Sequence, residues 1–233
     1  MKIFTLNSWM LPFGLARDHK IRFNRLINFI KNEEPDVVAL QEIWFSKYVK
    51  NLKKLNYYIF SQSKGIFNRS GLVIMTKKKH KCKFIMFPKY KNAMSDYIIK
   101  RGFQIIEIED LRIFNAHLYV KPGVENIKYA KKELELIKKH MRGKSILCGD
   151  LNIEKKEFDK LNNNFFKYAE DTKNTFSWDN KYVKKWWDPK MIANKKIDYI
   201  LVKNPARIKF KSRIIKKQMS DHEGILSEVK WKL

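Results

Sequence analysis

Polar side chains of the kinds used in phosphoryl chemistry stand where short apolar runs of this sequence end. Asn7 ends KIFTLN, Glu42 ends DVVALQE and His117 ends RIFNAH. Strand ends hold side chains rigidly while leaving them open to a cleft, so these positions are candidates for one common site. The other candidates are Asp150 and Asn152 after SILCG, Asp198 inside KIDYILV, and Asp221 and His222 before GILSEV.

Hydrolysis of a phosphodiester bond uses each of these residue types. Glu42 offers the hard oxygen ligand that Mg²⁺ prefers. His222 titrates near neutral pH and could take a proton from water, with a nearby carboxylate to orient its ring. Asn152 and His117 could donate hydrogen bonds to phosphate oxygens as negative charge builds up. Taken singly these are weak signals, since a lone Asp is more often a cap and a lone His is more often structural.

Short apolar runs that alternate with amphipathic helices would have to position these residues. We predict strands at 2–7, 36–42, 71–76, 103–108, 111–117, 145–149, 196–202 and 224–229. The pair 103–108 and 111–117 is typical of a hairpin. Hairpins mixed with helices favour two packed sheets with helices outside over one parallel sheet.

Two helices are predicted from the spacing of apolar residues. The first covers about 19–31, is capped by Asp18, and has Ile21, Leu26, Phe29 and Ile30 toward the core. The second covers about 124–142, with Ile127, Ala130, Leu134, Ile137 and Met141 on one face and Gly143 at its C-terminal cap.

Six short motifs, in order along the chain, resemble those of the endonuclease/exonuclease/phosphatase superfamily. They are LNSW (6–9), LQEIW (40–44), NAHL (115–118), GDLN (149–152), KIDYIL (196–201) and SDHEG (220–224). Six motifs in order are far more specific than any one of them. The resemblance covers nearly the whole chain and implies the family's four-layer α/β/β/α sandwich, made of two mixed, largely antiparallel sheets with outer helices.

The resemblance also implies a metal site. Glu42 would be the principal Mg²⁺ ligand, with Mn²⁺ as a substitute ion. Asn7 would help to hold the metal-bound water and the phosphate, and Asp221 would support the metal region.

The same resemblance implies the catalytic roles. His117 would bind and polarise the phosphate, and Asn152 would contact it beside Asp150. Asp150 would position or activate the attacking water. His222, paired with Asp198, would act as general base or transition-state stabiliser. The division of labour between Asp150 and His222 stays open at this stage.

Within the superfamily, the motifs are most similar to those of neutral sphingomyelinases. The segments LNSWMLP, LQEIW, GDLNI and SDHEG look like their versions, and RSGLVIMTK (69–77) resembles the strand after their second motif. This similarity implies a phospholipase C type of reaction on a phospholipid. The chain lacks the C-terminal membrane spans of animal sphingomyelinases and the signal peptide of secreted bacterial ones.

Charge favours a different substrate, nucleic acid. Fifty Lys and Arg against 24 Asp and Glu give a formal net charge of +26, which attracts polyanions. In the segment 207–214, period-two alternation would put four cations on one face of a strand: Arg207, Lys209, Lys211 and Arg213. Such a row suits a nucleic-acid backbone, although an ordinary solvated sheet face is the competing interpretation. The run KKKHKCK (77–83) is predicted to be a solvated loop.

Trp186 and Trp187 lie among lysines in the segment 178–191, WDNKYVKKWWDPKM. In a loop, this pair could stack on bases or enter the headgroup region of a membrane. A third interpretation of the whole chain is a catalytically inactive module that binds nucleic acid or membranes. The intact set of polar residues argues against it.

Length and composition predict one domain, 1–233. The resemblance implies that this domain is catalytic, and we expect it to act as a monomer. Two cysteines make no disulfide framework, which favours a reducing compartment. No apolar stretch approaches the ~20 residues of a membrane span. We therefore expect a soluble, intracellular (cytoplasmic) protein with peripheral membrane contact at most.

Overall fold

Two six-stranded mixed sheets form the centre of the molecule. The computed structural model describes residues 1–12, 14–90, 99–119, 125–168, 174–177, 180–182, 194–203 and 208–231. The first sheet contains, in spatial order, β11 (Ile208–Ile215), β12 (Gly224–Trp231), β1 (Lys2–Met10), β2 (Val37–Ile43), β4 (Phe67–Thr76) and β3 (Tyr58–Lys64). The second contains β5 (Lys81–Met86), β6 (Gly102–Ile108), β7 (Leu111–His117), β8 (Lys144–Asp150), β10 (Asp198–Lys203) and β9 (Phe166–Lys167). Within the described strands, only β1–β2 and β7–β8 pair in parallel.

Helices cover the outer face of each sheet. They are α1 (His19–Glu33), α2 (Ser46–Leu52), α3 (Glu125–His140) and α4 (Lys155–Asn162). Leu26 and Phe29 of α1 pack with Phe4 of the first sheet, whereas Leu134 of α3 packs with Phe114 of the second. A third cluster fills the space between the sheets. The predicted α/β sandwich of two mixed sheets is confirmed.

Alternation along the strands explains the two interfaces. In β1, Phe4 and Leu6 face the helices, whereas Ile3 belongs to the cluster between the sheets. In β2, Val38 faces the helices and Val37 belongs to the cluster between the sheets. Both faces of these strands are buried, so the sequence is a continuous apolar run and not an alternating pattern.

A line of buried amides joins the two sheets just behind the strand ends. Gln41 Nε2 donates to Asn115 Oδ1 at 2.8 Å, and Asn115 Nδ2 donates to Gln104 Oε1 at 2.9 Å. The Asn115 amide also donates to the Leu40 carbonyl across the sandwich at 3.1 Å. A satisfied polar network in a core specifies one alignment of its parts. It therefore fixes how the strand ending at Glu42 meets the strand of Asn115.

Two details of the predicted helices were wrong. Ile21 and Ile127 are 52% and 39% exposed, and Arg22 is fully buried in place of Ile21. Asp18 occupies the N-cap position of α1 but has a left-handed backbone (φ 52°), and no side-chain capping bond is present among the described atoms. The core stripe of α1 is Arg22, Phe23, Leu26, Phe29 and Ile30, so Leu26, Phe29 and Ile30 are buried as predicted and only Ile21 was misplaced.

Other boundaries were shifted or missed. The predicted strand 2–7 continues to Met10, and the strand predicted at 71–76 begins at Phe67. The predicted solvated loop 77–83 already belongs to β5 from Lys81 onward, because this segment pairs with β6. Elements without a sequence prediction are β3, β9, α2 and α4. None of the described helices is long and apolar enough to cross a membrane.

Candidate active site

Five strands, three of them in the second sheet, bring the predicted polar residues together. In the first sheet, the parallel strands β1 and β2 finish side by side, which places Asn7 next to Glu42. In the second sheet, His117 at the end of β7 pairs with Asp150 at the end of β8. Asp198 begins β10 directly opposite Asp150, because β10 and β8 are antiparallel. The two sheets therefore contribute to one site at a single end of the sandwich.

Asn7 connects the two halves. Its Nδ2 atom donates to Glu42 Oε1 at 2.9 Å and to Asp150 Oδ2 at 3.0 Å. Its Oδ1 atom accepts the backbone N–H of Trp9 at 3.1 Å, which fixes the orientation of the amide. Asn7 is 1% exposed. In this structure Asn7 thus acts as a donor that holds two carboxylates together.

The backbone is strained on both sides of this contact. Glu42 and Trp9 have φ values of 57° and 46°, in the left-handed region that non-glycine residues rarely occupy. Each such residue costs on the order of 1–3 kcal/mol and persists only where its surroundings impose it. The pairing of β1 with β2 is irregular between Asn7 and Met10, as expected where a bulge redirects side chains.

Asp150 is the centre of the site. Its Oδ2 atom, besides accepting from Asn7, lies 3.7 Å from His117 Nε2 and 3.9 Å from His222 Nε2. Its Oδ1 atom accepts the backbone N–H of Asn152 at 2.9 Å. Gly149 permits this arrangement, since a Cβ there would lie 1.9 Å from the carbonyl oxygen of Ala116. This explains the glycine of the GDLN motif.

His117 and Asn152 line the same opening. His117 Nε2 is also 4.0 Å from Glu42 Oε1, and the side chains of His117 and Glu42 are partly exposed. The Asn152 amide donates to the Leu118 carbonyl at 3.2 Å, which directs it toward the segment that follows His117.

His222 and Asp198 form a buried pair. His222 Nδ1 lies 2.8 Å from Asp198 Oδ2. Burial alone would lower the pKa of His222, but the charges of Asp198, Asp221 and Asp150 and the bond to Asp198 raise it well above its ordinary value. Burial raises the pKa of Asp198, and the charge of Asp150 adds to this effect. The surrounding carboxylates therefore favour the protonated, imidazolium form of His222.

Asp221 is buried beside this pair. Ser220 Oγ donates to its Oδ1 atom at 2.9 Å. Burial, reinforced by the nearby charge of Glu42, raises the pKa of Asp221 to about 6. A buried carboxylate beside a second one is costly to ionise, and a bound cation would offset that cost.

Two groups of side chains could hold a cation. Ligand atoms of Asp150, Asp198 and His222 all lie within 4.8 Å of one another. However, His222 and Asp198 already bond to each other, and a metal there would break that bond. Glu42 and Asp150 place two carboxylate oxygens on the single Nδ2 atom of Asn7, where a cation could replace the amide hydrogens as their partner. We regard this second, oxygen-rich group as the better fit to Mg²⁺.

Sequence reasoning missed several residues that support the site. Thr175 Oγ1 accepts the backbone N–H of Asp198 at 3.0 Å, and the ring of Phe176 lies 5.3 Å from that of His222. Arg22 is fully buried next to the end of β1. No motif contains these residues. The spacing of apolar residues that predicted α1 is the only sequence signal near position 22, and it wrongly placed Ile21 in the core.

Of the six predicted substrate-binding residues, the structure describes Lys209, Lys211 and Arg213, and these do not lie among the polar residues of the site. Lys209 and Lys211 are exposed on β11 and lie opposite Lys230 and Glu228, and Glu228 itself pairs with Lys2 at the start of β1. That level is about 17 Å from Asn7, at ~3.4 Å per residue. Arg213 forms an ion pair with Glu33 at 2.8 Å. Arg207, Trp186 and Trp187 lie outside the described residues, and the substrate-binding roles of all six stay predictions.

Comparison with known proteins identifies the family. Residues 4–222 match the model of the Endonuclease/Exonuclease/phosphatase family, and the chain therefore belongs to it. Members of this family are hydrolases that act on phosphodiester bonds and generally depend on a divalent metal. No curated protein gives a significant match to the sequence.

Solved structures share the fold at low identity. TDP2 from D. rerio, in complex with a single-strand DNA product, is 20% identical with a TM-score of 0.77 over 99% of this chain and 98% of that one. An endonuclease/exonuclease/phosphatase family protein from Leptotrichia buccalis is 22% identical, with a TM-score of 0.70 over 99% and 100%. SmcL is 15% identical, with a TM-score of 0.74 over 97% of each chain.

Proposed function

We propose that the protein is a Mg²⁺-dependent phosphodiesterase whose water nucleophile is positioned by Asp150. The observation that carries the proposal is the convergence of Asn7, His117 and His222 on one oxygen, Asp150 Oδ2. Glu42 is the principal metal ligand in this proposal, and buried Asp221 adds negative charge to the metal region. A bound Mg²⁺, or Mn²⁺ in its place, would polarise the phosphoryl group and neutralise charge on its oxygens.

The side chains divide the remaining work by their protonation and their partners. His222, held as an imidazolium by Asp198, donates from Nε2 to a phosphate oxygen as charge builds up in the transition state. Asp150 accepts the hydrogen bond of the attacking water. A protonated His222 cannot accept a proton from water, which supports transition-state stabilisation, and not proton removal, as its role. His117 and Asn152 bind the phosphate beside Asp150.

The first candidate substrate is a phospholipid of the sphingomyelin type. The sphingomyelinase-like versions of four motifs support it. The reaction would be a phospholipase C type cleavage, and Trp186 and Trp187 would provide the contact with the membrane surface.

The second candidate is nucleic acid, and two observations favour it. The net charge of +26 attracts a polyanion. A cavity of about 730 Å³ lies beside the loop of Asp221, with Lys181, Arg213, Lys216 and four side-chain amides in its wall. One of these amides, Asn180, donates to the backbone carbonyls of Ser220 and Asp221 at 3.1 and 3.2 Å. D. rerio TDP2, which has the same fold, was solved with single-strand DNA product.

The two substrates are distinguished by matched variants assayed on DNA and on sphingomyelin vesicles over a salt series. For a nuclease, the charge reversal Lys181→Glu with Lys216→Glu should weaken DNA binding and lower its salt slope by about one unit per lost phosphate contact. Lys209→Glu with Lys211→Glu changes the net charge by the same amount at about 17 Å from Asn7, and comparison of the two variants shows whether the cavity or the basic face of β11 contacts the DNA. For a lipid hydrolase, Trp186→Ala with Trp187→Ala should impair attack on vesicles but spare a soluble diester. A variant pair with no effect on its own substrate removes the support for that candidate.

A further inference from the structure

Arg22, in the first turn of α1, has the largest side chain among the fully buried residues of the described chain, with 0% exposure. Its guanidinium donates to four backbone carbonyls. The acceptors are Arg17 at 2.7 Å, Ser8 at 2.8 Å, Trp9 at 3.0 Å and Met219 at 3.4 Å. Four of the five guanidinium hydrogens are accounted for by these bonds.

These carbonyls belong to three separate segments of the chain, and Arg22 bonds to all of them. Ser8 and Trp9 directly follow Asn7 at the strained end of β1. Met219 directly precedes the SDH segment that carries Asp221 and His222. Arg22 therefore links the part of the site that holds Glu42 and Asp150 to the part that holds the imidazolium.

Burying this charge is costly unless it is well satisfied. Among the described residues, no carboxylate lies within ion-pair distance of Arg22. The carbonyl oxygens and the rings of Trp9 and Tyr182, both 5.4 Å from the guanidinium carbon, take the place of such a partner. The charge also acts over a longer range, where it favours the ionised form of Asp221. An apolar side chain of similar size would leave these four carbonyls without the donor that Arg22 supplies, so Arg22 does more than fill space.

We propose that Arg22 is a positioning residue that sets the separation between the end of β1 and the SDH segment. The inference deepens the proposed function, on which it rests for the identity of the catalytic groups. Arg22 is enclosed and touches no substrate, so its loss should change how well the catalytic groups are aligned and not how tightly substrate binds. Misalignment by about 1 Å can lower turnover on the order of 100-fold.

Arg25, one turn further along α1, provides a matched control. It donates to the carbonyl of Gln218 and to Tyr182 Oη, both at 3.2 Å, but reaches no atom of β1 among the described contacts. It therefore touches the same loop without linking it to Asn7. Leu134→Ala is a second control, because it destabilises the core under α3, far from this link, by about 2–5 kcal/mol.

The experiment measures kcat, KM and melting temperature on a soluble phosphodiester for Arg22→Lys, Arg22→Met, Arg25→Met and Leu134→Ala. Arg22→Met should lower kcat on the order of 10–100-fold with little change in KM. Arg22→Lys should recover part of the loss, since an ammonium keeps the charge but cannot reach all four carbonyls. Arg25→Met should match the wild type. If Arg22→Met does not fold, Arg22→Lys against Leu134→Ala decides the question.

Wild-type kcat in the Arg22 variants, or a loss no larger than that of Leu134→Ala at equal melting temperature, overturns the inference. Calorimetric titration with Mn²⁺ in the absence of substrate separates this result from the proposed function. If the wild type binds Mn²⁺ but hydrolyses no phosphodiester, the proposed function fails. The Arg22 inference then stands only if Mn²⁺ binds more weakly to Arg22→Met than to Arg25→Met.

Discussion

Nδ1 of His222 and Oδ2 of Asp198 lie 2.8 Å apart, in surroundings that leave both residues less than 8% exposed. The bond leaves Nε2 as the only ring nitrogen that faces the site, 3.9 Å from Asp150. Asp198 therefore determines both the orientation of the ring and its charge. The two side chains should behave as one catalytic unit.

Mutation of this pair should give non-additive losses. His222→Ala should lower turnover on the order of 10²–10³-fold, the usual cost of removing one donor that stabilises charge in the transition state. Asp198→Asn should add little on that background, because its ring partner is already gone. A double-mutant cycle on kcat with a soluble diester tests this. Losses that multiply in full would show that the two residues act separately.

Asp221 should make the protein lose stability as the pH rises from its ordinary pKa of 3.8 to its folded value of about 6. In this window the folded state retains a proton that the unfolded state has released, so the free energy of unfolding falls as the pH rises. Asp221→Asn cannot titrate. Its stability relative to wild type should therefore grow across the window by on the order of 2 kcal/mol, and then level off. Urea unfolding in EDTA over a pH series measures the difference, and a difference independent of pH contradicts the assignment.

Glu42 should be strained by its left-handed backbone, φ 57°. Glu42→Gly should relieve the strain and stabilise the fold by about 1 kcal/mol relative to Glu42→Gln, which keeps the side chain and the strain. Both variants should lose metal-dependent activity. Thermal melts of the two variants side by side provide the measurement. An equal or lower melting temperature for Glu42→Gly would show that the backbone at this position is not a source of strain.

The hydrogen bond between the side-chain amides of Gln41 and Asn115 should hold the two halves of the sandwich in register. Gln41→Leu leaves the Oδ1 atom of Asn115 without its donor, and an unsatisfied buried polar group costs about 1–3 kcal/mol. The double variant Gln41→Leu with Asn115→Leu should lose less than the sum of the single variants. Chemical denaturation of all three variants checks this. Strictly additive losses would show that this hydrogen bond does not couple the two residues.

The sequence predicts the polar residues of the candidate site well because strand ends and motif order are local features. Glu42, His117 and Asp150 each end an apolar run, and the parallel and antiparallel pairings then bring them together. Arg22 could not be predicted, because a pattern of apolar residues places an arginine outside. Its burial depends on carbonyls supplied by β1 and by Met219, about 200 positions away in the second case.

Edge strands were the other elements that the sequence did not reveal. β3 and β5 lie at sheet edges and have largely exposed faces, so no long apolar run marks them. β11 is also an edge strand, and the alternation of Lys209, Phe210 and Lys211 made a strand one possible interpretation of this segment. Which end of the sandwich those lysines approach is a property of the register with β12, and that register is not encoded in the segment itself.

Mg²⁺-dependent hydrolysis with Glu42 as the principal ligand is tested by turnover of a soluble phosphodiester by the wild type and by Glu42→Gln, in EDTA and after addition of Mg²⁺. We expect the wild type to show no turnover in EDTA and full turnover after Mg²⁺ addition. The variant should show little turnover and a weakened Mg²⁺ response, since one negative ligand charge is lost. Full activity of the wild type in EDTA, or an unchanged Mg²⁺ response in Glu42→Gln, would contradict this mechanism.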